Sequence, residues 1–119
     1  MIDKNRCHDL TATGTGEYTW YAAAKAAVNT LVVGVAREVA KEGIRINGLS
    51  PGLIDTEIHV PGRLDRIAPM VPVGRAGQPE EVAETVLYLL SDAASYMTGS
   101  DVLVDGGMVA VTPDASATR

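Results

Sequence analysis

The sequence predicts an α/β fold. A long alanine-rich stretch of helical character runs across one glycine into a short apolar strand, and a second, amphipathic helix leads after a turn into another short strand. Glycine or proline stands at each junction. At 119 residues the chain holds one small domain with one core, residues 1–119, in which 1–17 read as irregular and 108–119 as a tail.

The helix is expected over residues 18–42. YTWYAAAKAAVNTLVVGVAREVAKE contains strong helix formers and no proline, and Gly43 stands where a helix stop is expected. Its apolar positions, among them Ala22, Val28, Leu31, Val32, Val35 and Val39, cover well over half the circumference, which predicts burial on two sides, by a sheet and by a partner subunit. Residues 44–50 alternate Ile44, Ile46 and Gly48 as a strand does, and Pro51-Gly52 should stop it.

Residues 57–78 carry Pro61, Gly62, Pro69, Pro72 and Gly74, so only short helical pieces are expected there, in a mobile segment suited to be a lid. Pro79 opens a second helix with Glu80 and Glu81 at its positive end and a stripe of Val82, Val86, Leu89 and Leu90. Val102, Leu103 and Val104 form a last strand closed by Asp105-Gly106-Gly107.

Composition excludes several roles. A formal net charge of −5 with the arginines scattered argues against a nucleic-acid partner. No apolar run approaches the roughly 20 residues that cross a bilayer, so no membrane role is expected. Cys7 is the one cysteine, which rules out an internal disulfide, and the polar start lacks a secretory core; a cytoplasmic protein is expected. Cys7 and His8 have no ligand-type neighbours at short spacing, so no metal site is expected.

Tyr21 and Lys25 lie four apart on the long helix, so both side chains leave the same face one turn apart. A cation beside a phenol favours phenolate and brings the group toward a pH where it exchanges a proton with a carbinol oxygen. The spacing alone is weak, since it arises by chance in about one such chain in ten, and an exposed Lys beside a half-buried Tyr is the alternative. Asn47, Tyr88 and Trp20 are read as structural: Asn47 satisfies neighbouring backbone, and the two aromatics pack.

YAAAKAAVNTL, AREVAKEGIRINGLSPGLIDTE and GQPEEVAETVLYLLSDAASYMTGSDVLVDGG, in that order over about residues 14–107, resemble the C-terminal part of the short-chain dehydrogenase/reductase family. The resemblance implies the C-terminal portion of a Rossmann-type doubly wound parallel sheet. It also implies an oxidoreductase passing hydride between NAD or NADP and a secondary alcohol or ketone, as a homo-oligomer. By resemblance Tyr21 is the acid/base, Lys25 tunes it and holds the nicotinamide ribose, and Pro51, Gly52, Ile54 and Thr56 line the nicotinamide end of the cofactor site.

The match is incomplete. The family's opening strand, glycine-rich turn and helix, which hold the cofactor pyrophosphate, have no counterpart before Tyr18. Where the family places a carbonyl-polarising Ser, this chain has Cys7 and His8, with Thr11, Thr13 and Thr15 as the nearest hydroxyls. The competing expectation is therefore a catalytically inactive fragment or an oligomerisation module.

Overall fold

The computed structural model describes residues 19–109; the start expected to be irregular, with Cys7, His8 and Tyr18, and positions 110–119 of the expected tail lie outside them. Helix α1 spans Thr19–Val39 and tightens into a 3-10 turn at Ala40–Glu42. Gly43 ends it with a left-handed φ of 75°, its N–H bonded to the Ala40 carbonyl at 3.1 Å, so the helix stops where the glycine predicts. Strand β1 is Gly48–Pro51, helix α2 Arg63–Ile67, helix α3 Pro79–Leu90 and strand β2 Asp101–Val104. No described helix is long and apolar enough to cross a membrane.

β1 and β2 pair in parallel, with Gly48 opposite Asp101 and Pro51 opposite Val104. Parallel neighbours joined through a helix are the mark of the α/β class, and each of the two strands is the other's neighbour. The strand foreseen at residues 44–50 is shorter and shifted, beginning at Gly48 and including Pro51. The reason lies in the partner. Before Asp101 the facing chain is loop, so Ile46 bonds the Thr98 hydroxyl and the Gly99 amide instead of a ladder. Pro51 is tolerated as the last strand residue, where the lost donor does not break the ladder.

Asn47 plays the structural part expected of it. Its amide donates to the Met97 carbonyl at 2.9 Å and its oxygen accepts the Ser100 N–H at 3.1 Å, which ties the approach to β1 to the approach to β2. Across the sheet the Ser50 hydroxyl meets both carboxylate oxygens of Asp101 at 2.9 Å. Arg45 adds bonds to the Met97 and Ser91 carbonyls.

The core lies beyond the carboxyl ends of the strands. Leu53, Ile67, Val71 and Met108 are buried together, with Leu64, Ala68 and Ala76 against them; burying each large side chain contributes about 1.5–3 kcal/mol. Helix α1 is different. Of its residues only Ala22 and Ala36 are buried, while Val28, Leu31 and Val33 are exposed and Trp20 is 88% exposed. The expected cover on two sides is thus not supplied by the described residues, and neither Trp20 nor Tyr88 packs as foreseen. On α3 the stripe is half-covered at Val82 and Leu89 but open at Leu90. An open groove of about 340 Å³ runs between Ile46, Leu49, Val86, Leu89 and Leu90.

Candidate active site

Tyr21 and Lys25 stand in the first two turns of α1. The Lys25 ammonium lies over the Tyr21 ring, 5.5 Å from its centroid, and both residues are exposed. The i, i+4 spacing therefore does bring the pair together, with the charge on the ring face where a π-system attracts it.

Of the other four candidates, Pro51 is the last residue of β1, and Gly52, Ile54 and Thr56 lie in the irregular turn that follows it. Gly52 N–H donates to the Val104 carbonyl at 3.0 Å, continuing the ladder by one step. A side chain at Gly52 would stand 2.6 Å from the Asp105 Cα, so only glycine lets the two strand ends approach this closely. Ile54 forms a parallel bridge with Gly77. The Thr56 carbonyl accepts the His59 N–H at 3.3 Å, and the Thr56 side chain is exposed. Pro51 and Thr56 are thus open to a ligand at the sheet end where open α/β sheets bind theirs. Tyr21 with Lys25, and the residues of the turn, are two local constellations on separate elements.

Asp105-Gly106-Gly107 is the strand-ending turn expected. Its Asp105 carboxylate accepts the Gly107 and Val109 amides, both at 2.9 Å, which stiffens the wall beside Gly52. A cavity of about 100 Å³ between Leu53, Ile54, Val71, Val104 and Asp105 lies beneath this turn. It is well below the roughly 300–1,000 Å³ of ligand pockets and is a packing feature.

One constellation beside that cavity has no counterpart in the sequence-based expectations beyond a favourable charge at a helix start. Arg75 grips Glu81 with two parallel bonds, 2.8 and 2.7 Å, and Glu81 also accepts the Gln78 N–H at 2.7 Å. Its signal was present: a carboxylate three residues after the residue that precedes Pro79 can turn back on the helix start. The bond from Arg75, followed by that from the Gln78 backbone, holds the Glu81 carboxyl down at about 2.

A depressed folded-state value means that the stabilisation is complete above the ordinary Glu range of about 4.3 and is lost as pH falls through 2. We expect the gap in melting temperature between the parent and Glu81→Gln to be constant from pH 7 to 5. It should then shrink between about pH 4.5 and 2, and, since both side chains are largely exposed, it should also shrink in molar salt. A gap independent of pH over that range would exclude the ionic clamp.

A family profile described as enoyl-(acyl carrier protein) reductase matches residues 9–109. An oxidoreductase of Escherichia coli, YgfF, is 51% identical over 96 residues, covering 77% of this chain. The chain belongs to the short-chain dehydrogenase/reductase family. Another family member, cyclohexanol dehydrogenase of an Acinetobacter strain, is 45% identical over 93 residues and 78% of this chain.

Among solved structures, acetoin dehydrogenase YohF from Salmonella typhimurium superposes with a TM-score of 0.73 at 35% identity over 87% of this chain. The α/β architecture is thus part of the family's Rossmann-type fold. The chain spans 39% and 37% of the length of the two curated relatives and 40% of the solved chain.

Proposed function

We propose that this short-chain dehydrogenase/reductase chain carries the acid–base end of an oxidoreductase that interconverts a secondary alcohol and a ketone with NAD or NADP. The observation that carries the reading is the Lys25 ammonium over the face of an exposed Tyr21 ring. Two relatives are named for cyclohexanol and acetoin, which supports a small alcohol or ketone as substrate.

When bound, the dinucleotide accepts or donates the hydride. Tyr21 holds the proton at the carbinol oxygen: in oxidation the phenolate takes it as the C–H hydride leaves, and in reduction the phenol returns it. Lys25 is a positive charge over the Tyr21 ring and favours the phenolate. The second half of its proposed role is to donate from its ammonium to the nicotinamide ribose.

Pro51, Gly52, Ile54 and Thr56 would hold the nicotinamide end, with backbone groups and the Thr56 hydroxyl available to a carboxamide. Their position at the carboxyl end of a parallel strand supports this. So does the exposure of Pro51 and Thr56. Joining the Tyr21–Lys25 pair to that turn across one ligand is part of the proposal.

A second reading, a non-catalytic association module, is favoured by the uncovered apolar residues of α1, Trp20, Val28, Leu31 and Val33. Titration calorimetry of the 119-residue chain with NAD(H) and NADP(H) bears on both. Without a strand, glycine-rich turn and helix for the pyrophosphate, weak binding is expected, with a dissociation constant of about 0.1 mM or more. Submicromolar binding would mean that the nicotinamide end suffices and would count against the module.

A further inference from the structure

The residues that follow β1 are held from outside the sheet. Gly77 bonds on both sides of Ile54: its N–H donates to the Leu53 carbonyl and its carbonyl accepts the Asp55 N–H, both at 2.8 Å, which makes the parallel bridge between Ile54 and Gly77. Side chains close over the same spot. A Cβ at residue 77 would stand 2.9 Å from the Ile54 Cδ1 and 3.6 Å from the Glu81 Oε2, so both crowd the bare α-carbon of Gly77.

Gly77 has no side chain to hold it, and its neighbours set its place. Arg75 grips both Glu81 oxygens, at 2.8 and 2.7 Å, and its guanidinium also donates to the Ala76 carbonyl at 3.0 Å. Glu81, in the first turn of α3, reaches back to the Gln78 N–H at 2.7 Å. Bonds thus fall on residues 75, 76 and 78, on either side of Gly77, and fasten this end of the segment expected to be mobile. Arg75 and Glu81 also line the cavity of about 100 Å³ that Leu53 and Ile54 share. A two-pronged, charge-assisted grip fixes orientation as well as distance.

We propose that Arg75 and Glu81 are a positioning pair: through Gly77 they set the place of Leu53, Ile54 and Asp55, and with it the nicotinamide end that Ile54 and Thr56 offer a cofactor. Neither side chain need touch the dinucleotide. The consequence for the cofactor rests on the proposed function, whereas the hold on the turn does not. Both partners are largely exposed, so removing the pair should shift the site by a few-fold rather than abolish it.

The first test is hydrogen–deuterium exchange by mass spectrometry on the 119-residue chain and its Arg75→Ala, Glu81→Ala and doubly substituted variants. Peptides carrying the Asp55 and Gly77 amides should exchange about two- to five-fold faster in each variant, the range for a coupling between exposed charges, while the ladder from Gly48 to Gly52 keeps its protection. The double variant should be no worse than Glu81→Ala alone, because Arg75 acts through Glu81.

The second test puts the same substitutions into a chimera that takes the remaining length from the 51%-identical YgfF relative. KM for the cofactor should rise about two- to five-fold with kcat at saturating cofactor unchanged, the signature of lost binding alignment without lost chemistry. Unchanged exchange at Asp55 and Gly77, additive losses in the double variant, an unmoved KM, or a kcat that falls with no change in KM each overturn the proposal. A parental chimera without turnover counts against the proposed function instead, and the exchange arm then decides whether the pair holds the turn.

Discussion

Tyr21→Phe is expected to lower turnover by about 10²–10⁴-fold, the range over which a positioned proton donor contributes, while cofactor affinity stays within about two-fold of the parent. The assay is made in a chimera that joins this chain to the remainder of the 51%-identical YgfF relative, with a secondary alcohol and with the corresponding ketone. Phe keeps the ring under the Lys25 ammonium, which lies 5.5 Å from the centroid, and removes only the hydroxyl. The variant therefore separates proton transfer from packing. Lys25→Ala should harm turnover and cofactor affinity together, because one ammonium serves the phenol and the ribose in this mechanism. A Tyr21→Phe chimera as active as its parent would remove the acid–base assignment.

The isolated chain is expected to self-associate. Among the described residues seven apolar side chains are buried, three of them alanines, and the largest buried cluster has four members. Against this, α1 presents Trp20, Val28, Leu31 and Val33 to solvent, and α3 presents Leu87 and Leu90. Stable monomers rarely expose apolar patches beyond a few hundred Å².

The sheet adds to the pressure. Among the described residues the sheet has two parallel strands, and parallel sheets are ordinarily covered on both faces. Size-exclusion chromatography with light scattering should report species at or above the dimer, and a hydrophobic dye should bind. A monodisperse 12.5 kDa monomer with a cooperative melt would show that the chain closes its own core.

Local rules made much of this molecule legible. The α1 helix and its glycine stop, the start of α3 at Pro79, the short helical pieces between them and the Asp105 turn all follow from propensities and capping chemistry that act within a few residues. The closeness of Tyr21 and Lys25 was equally readable, because i, i+4 geometry is a property of any helix.

The bounds of β1 were not readable, because a strand exists only where a partner faces it, and Asp101 decides where that begins. Nor was the grip of Arg75 on Glu81 or the burial of Ile67 and Val71 against Met108. By itself the sequence determined the element types, the Tyr–Lys pair and the family, through short-range stereochemistry and an ordered set of motifs. Only the tertiary structure decided the strand register, which part of the proline-rich segment is held, and how much of α1 remains uncovered, because these depend on contacts between residues far apart in the chain.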